Sequence, residues 1–172
     1  MVSESGDTLL GRRQRKQYRF RPAALVLVSF AAILFQVYVP RFVEPLSYLE
    51  LPLLVTVYFS LMRREPVAGV LIGSSIGLVQ DSLSHNPLGM FGIVKTLVGY
   101  FAASVSQRFD VENMTIRFLL GFFFFFFHQF FYWVLASALL GQPMSFDALQ
   151  TLFFGILNAA VAAPLFRVLD RL

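Results

Sequence analysis

Three ionisable residues, Glu50, Asp81 and Lys95, stand inside otherwise apolar stretches and are the groups through which this chain could do chemistry. A charge at the centre of a bilayer costs about 2.5–3.5 kcal/mol on insertion scales, less near a helix end. Buried membrane charges usually face the interior of a helix bundle and pair, so Lys95 is expected to face Asp81, Glu50 or both. The competing reading has both carboxylates at the interface and the lysine amine extended outward to join them. His128 and Gln129 stand near the middle of a later apolar stretch, where they either extend this cluster or pack with local partners. His85 is the one other imidazole, and no HxxxH or HExxH pattern contains either histidine. Absence of cysteine excludes disulfides, iron–sulfur clusters and thiolate metal sites. Ser74, Ser75, Ser82 and Ser84 lack the strained GxS turn of a nucleophile, and no paired aspartates point to intramembrane proteolysis. The expected protein is not an enzyme and carries no cofactor and no metal.

The stretch from Glu65 to Gly99 must position these groups. Gly69, Gly73, Gly77 and Asp81 recur every four residues, which in a helix makes one smooth strip ending at a carboxylate. The next apolar span carries Gly92, Thr96, Gly99 and Ala103 at three- and four-residue spacing, a second smooth face expected against the first. Small residues at such spacing let membrane helices approach closely, and a ligand groove is the other reading of the strip.

With 57% hydrophobic residues and a mean hydropathy of +0.68, the 172-residue chain reads as an all-α integral membrane protein. About 20 apolar residues cross roughly 30 Å of hydrocarbon. Six spans tile the sequence: Ala23 to Val39, Leu46 to Met62 with Glu50 and Pro52 in its first turns, Val67 to Ser82, Leu88 to Val105, Ile116 to Leu140, and Ala148 to Phe166. His85–Asn86–Pro87 and Gly141–Gln142–Pro143 make turns between them. Phe122 through Phe127 read as apolar filler rather than an aromatic ligand box. Residues 1–22 form a basic cytoplasmic tail and 23–172 a single six-helix transmembrane domain. The first span exceeds the usual 7–15-residue core of a signal peptide and is expected to remain as an anchor.

Charge sets the expected orientation. With the N-terminus inside, Arg12, Arg13, Arg15, Lys16, Arg19, Arg21, Arg63, Arg64, Arg108, Arg117, Arg167 and Arg171 fall on the cytoplasmic side and Arg41 alone in an outer loop. This N-in/C-in arrangement follows the positive-inside rule, and five spans would break it at the C-terminus. The net charge of +4 is thereby explained without nucleic acid. An anionic-lipid patch or an acidic cytoplasmic partner is the other use of the basic tail.

Leu51 to Tyr100 resembles the rod shape-determining protein MreD family in the proline opening the second span (Pro52), the Gly69 to Gly77 strip, the run Gly77-Leu78-Val79-Gln80-Asp81, Pro87-Leu88-Gly89, and Gly99-Tyr100. Asp81 and Gly89 carry over. Glu50 departs from the pattern, since the family often has an acidic residue directly after that proline and Leu53 stands there instead. The resemblance implies a non-catalytic scaffold in the bacterial inner membrane, serving the cell-elongation machinery and lateral peptidoglycan synthesis. Its implied partners are an MreC-like single-span protein, the RodA–PBP2 synthase and, directly or indirectly, the MreB filament. It also implies a fold similar to the substrate-binding subunits of energy-coupling-factor transporters. That likeness supplies the alternative, a small-molecule-binding subunit of a vitamin-type transporter. On the scaffold reading, Gly69, Gly73, Gly77, Gly92 and Gly99 pack helices and receive a partner's helix, while Glu50, Asp81 and Lys95 form an intramembrane polar cluster.

Overall fold

The computed structural model describes residues 22–84, 87, 89–141 and 147–171. The basic run Arg12 to Arg21 and the turn residues His85, Asn86, Gln142 and Pro143 lie outside them. The described residues form six α-helices: α1 (Pro22–Tyr38), α2 (Leu51–Arg63), α3 (Pro66–Leu83), α4 (Met90–Ser106), α5 (Met114–Leu140) and α6 (Ala148–Leu169).

Local sequence explains where these helices start and stop. Proline opens α3 as Pro66 and falls in the first turn of α2 as Pro52, where a missing N–H costs no intrahelical bond. Asn113 and Asp147 cap α5 and α6 through side-chain oxygens that accept the amides of Thr115, and of Leu149 and Gln150. Arg64 adopts a left-handed conformation (φ 56°) that ends α2 and lets α3 begin almost at once.

One boundary differs from expectation. The second span does not begin as α-helix at Leu46: Glu44–Tyr48 is a 3-10 turn opened by Pro45, Leu49 is extended, and Glu50 stands just before α2. The 3-10 turn and α2 together make one apolar run, Glu44–Arg63, long enough to cross a membrane.

Five helical runs among the described residues have the length and composition to cross a membrane. The fourth of the six expected spans, α4, is shorter at 17 residues, or about 26 Å at 1.5 Å per residue. It carries a buried lysine in its second turn.

The core is built around α2. Every residue from Pro52 to Met62 is buried, because α1, α3, α4, α5 and α6 all pack on this helix. A helix apolar on all sides belongs at the centre of a bundle. Around it stand two antiparallel pairs, α3 with α4 and α5 with α6. In the second pair, Gly121 lies against Ala162 and Gly155 against the rings of Phe122 and Phe126. Phe124 and Phe125 point into the core, while Phe123 and Phe130 are about half exposed. The phenylalanine run thus serves both lipid and interior.

Far from the α1–α2 turn, Arg117 of α5 clamps Asp170 at the end of α6 with both guanidinium NH groups, one at 3.2 Å, and donates through Nε to the carbonyl of Val111 at 2.6 Å. Tyr58 of α2 donates its hydroxyl to the same carboxylate at 3.0 Å. These bonds fix α2, α5 and α6 at one end of the bundle.

Candidate functional site

The α3–α4 seam sets the geometry of the polar cluster. A methyl group added at Gly69, Gly73 or Gly77 would fall well under 3.0 Å from the backbone of Gly99, Lys95 or Phe91 respectively. Gly69 and Gly99 face one another, each closed to a side chain by the other's carbonyl. Gly92 leaves room for the side chains of Leu78 and Asp81. The five glycines therefore bring two helix backbones into contact within this chain, and the partner of the strip is α4. An incoming helix from another protein cannot occupy that strip without displacing α4, which corrects the expectation that it is an open docking face.

Asp81 ends the strip and caps the next helix. Its Oδ1 accepts the amide of Phe91 at 3.1 Å, and its Oδ2 accepts the amides of Gly89 and Gly92 at 3.0 and 2.9 Å. The first amides of a helix lack intrahelical acceptors and carry the positive end of its dipole, so a carboxylate there is held by charge and hydrogen bonds together. Gly89, at φ 95°, turns the chain into α4 in a conformation that other residues rarely adopt, and its amide meets Asp81. The two positions carried over from the resemblance are one hydrogen-bonded unit.

Lys95 lies one turn further into α4 and is fully buried. Its Nζ is 4.0 Å from Glu50 Oε2, 3.4 Å from His128 Nε2, and 4.2 Å above the centre of the Phe91 ring. Of the two carboxylates considered as partners, Glu50 lies within ion-pair reach, whereas both oxygens of Asp81 are committed to the start of α4. His128 stacks on Phe91 at 5.9 Å and on Tyr132 at 6.3 Å, so it enters this layer through its ring faces as well as its nitrogen.

Glu50 is held from behind by a residue that sequence reasoning missed. Asn158, wholly buried in α6, accepts the Glu50 amide at 2.9 Å and donates to the carbonyls of Tyr48 at 2.8 Å and Phe154 at 2.9 Å. An isolated asparagine inside a 22-residue apolar helix was the available signal. The Arg117–Asp170 pair was also missed, although its two members lie almost equally far in sequence from the break in hydrophobicity at residues 141–147.

The arrangement positions helices and holds one buried ammonium; nothing in it aligns a nucleophile with a base. Among the described residues, no three of His, Asp and Glu gather as a metal ion would require. A second surface feature lies in the apolar middle of the bundle, a groove of about 360 Å³ between α1 and α3 that includes Leu25, Ser29, Phe30, Leu71, Ser75 and Val79.

No curated protein and no solved structure matches the chain. Residues 16–172, nearly the whole length, match the family described as rod shape-determining protein MreD, and the chain belongs to that family of membrane proteins acting in rod-shape determination.

Proposed function

We propose that this protein is a non-catalytic scaffold of the cell-elongation machinery, crossing the bacterial inner membrane six times with both termini in the cytoplasm. The charge distribution supports that topology. Arg63, Arg64, Arg108, Arg117, Arg167 and Arg171 would share one side, and Arg41 would lie on the other. On this reading α4 crosses with α3 as one tightly packed pair, its short length offset by the Asp81 cap at the outer end.

The observation that carries the scaffold reading is the α1–α3 groove. It is apolar, lies at membrane depth, and is flanked by exposed Val26 and Leu71. Close packing drives helix association in lipid, and the serines in this groove leave room for an approaching backbone. Its proposed occupant is the membrane span of an MreC-like single-span protein, with the RodA–PBP2 synthase and the MreB filament recruited through that complex.

The test places a photo-crosslinking residue at Leu71 or Ser75 in living cells, with Phe153 on the exposed face of α6 as the comparison site. Recovery of a single-span MreC-like protein at positions 71 and 75, and much less at 153, is the expected result. Crosslinks that ignore the groove, or recovery of an ATPase pair, would refute the scaffold.

A further inference from the structure

A cavity of about 320 Å³ opens at the same end of the bundle as the Asp81 cap. Gln36 and Arg41 reach it from α1 and the turn that follows, Glu50 from the start of α2, Gln80 and Ser84 from the end of α3, and Phe91 from α4. Four side-chain oxygens of these residues are buried without a hydrogen-bond partner: Gln36 Oε1, Glu50 Oε2, Gln80 Oε1 and Ser84 Oγ. Gln80 is only 2% exposed, so its amide has little access to solvent except through the cavity. The Gln36 NH2 donates to the carbonyl of Ser47 at 3.3 Å, which orients that amide and leaves its oxygen unpaired.

Buried polar atoms in folded proteins are nearly always satisfied, and four orphans carried by side chains that line one cavity point to an occupant that supplies the missing partners. The volume stands at the lower end of the roughly 300–1,000 Å³ of small-molecule sites. We infer that the cavity binds a neutral, hydroxyl-rich ring, a glycosyl group, through Gln36, Glu50, Gln80 and Ser84, with the Phe91 ring as an apolar wall.

Charge and hydrogen-bond sense select this chemistry. A hydroxyl both donates and accepts, so it satisfies an amide turned either way as well as a carboxylate. An ammonium ligand would meet the existing amine of Lys95, 4.0 Å from Glu50, and the guanidinium of Arg41. An anion would meet the Glu50 carboxylate and the three other unpaired oxygens. A ring with several hydroxyls avoids both conflicts. It would come either from a sugar-bearing lipid in the outer leaflet or from free sugar; the outward opening rests on the topology proposed above, while binding to the purified chain does not.

The experiment uses the full chain in phosphatidylcholine nanodiscs prepared without sugar detergents. Saturation-transfer NMR reads binding of N-acetylglucosamine and methyl glucoside, and native mass spectrometry reads retention of a glucosyl diacylglycerol doped into the disc. Saturable binding of one equivalent is expected, weakened about tenfold by Gln80→Leu through loss of one or two hydrogen bonds. Because Gln80→Leu removes an unpaired oxygen, its thermal midpoint should not fall below that of the parent. Leu83→Trp, at the 38%-exposed rim, should block the cavity and abolish binding in a folded protein. Binding of the lipid probe alone identifies a membrane source and binding of the free sugars a soluble one; either supports the assignment. Failure of every sugar probe to saturate, indifference to both variants, or tighter binding of ethanolamine or inorganic phosphate would overturn it.

Discussion

Asp81→Ala isolates what the carboxylate does. The substitution removes the acceptor for three amides, those of Gly89, Phe91 and Gly92. Gly89 is partly exposed, so water can replace its bond, but Phe91 and Gly92 are buried. Two buried donors left without partners cost about 1–3 kcal/mol each, so the expected loss of stability is about 2–6 kcal/mol. Asp81→Asn keeps one acceptor oxygen, which can still serve Gly89 and Gly92, but turns an NH2 towards Phe91 and removes the charge. Its expected loss is about 1–2 kcal/mol. Stability is read by SDS-induced unfolding of the detergent-solubilised chain followed by circular dichroism, and hydrogen exchange of residues 89–93 reports whether the first turn of α4 frays. A double-mutant cycle with Lys95→Met separates the cap from an ion pair. The cap predicts a coupling between positions 81 and 95 of no more than about 1 kcal/mol, as for two charges that share Phe91 without forming an ion pair. Equal stability for Ala and the parent, unchanged exchange at the start of α4, or a coupling of several times that size would refute the reasoning.

The remaining predictions concern the seam, the buried amine and the opposite end of the bundle. Gly73→Ala gains about 1 kcal/mol of helix propensity but drives a methyl group into the Lys95 backbone; a net loss of about 1–2 kcal/mol is expected in thermal unfolding. Gly73→Leu should abolish folding itself rather than partner association alone, as loss of the folded monomer peak in gel filtration would reveal. Lys95→Met leaves Glu50 beside an apolar group and should cost about 1–3 kcal/mol, less than for a fully buried pair because 16% of the Glu50 side chain is exposed. Adding Glu50→Gln should recover most of that loss in the same unfolding assay. Arg117→Met breaks the clamp on Asp170 and the bond to Val111; a loss of about 2–4 kcal/mol is expected, with faster hydrogen exchange at the end of α6.

The helices and the seam were legible because they depend on local periodicity. Four-residue spacing of Gly69, Gly73 and Gly77 determines which face of α3 is smooth, and the small residues of α4 mark its counterpart. The role of Asp81 was not legible for the same reason. A helix cap is ordinarily recognised from a residue immediately before the helix, whereas this carboxylate reaches α4 from the preceding helix, and its partners are backbone amides that no residue type announces. Reading Asp81, Glu50 and Lys95 as one cluster located the right end of the bundle without distinguishing the cap from the buried layer. Asn158 and Asp170 depend on how α6 returns to α2, a matter of three-dimensional register. The placement of α2 at the centre is likewise a property of the assembled bundle, since the sequence of α1 is more apolar and yet ends up on the outside.

The side-chain hydrogen bonds between elements are shared unevenly among the helices, and this distribution identifies the element with the fewest polar ties. Asp81 joins α3 to the start of α4, Asn158 joins α6 to the approach to α2, and Arg117 with Asp170 joins α5 to α6. By contrast, among the described residues α1 has one side-chain hydrogen bond to another element, from Gln36 to Ser47, and the Ser29 hydroxyl is buried without a partner. Its hold on α2 and α3 is otherwise apolar packing, which in lipid gains nothing from excluding water. The groove proposed for a partner helix lies along α1, and one wall of the polar cavity is formed by Gln36 and Arg41 at its end. A helix seated in the groove would fix α1 along its length and thereby fix that wall. Occupancy of the groove and occupancy of the cavity should consequently favour one another, since the first partner to order α1 reduces the ordering cost left to the second.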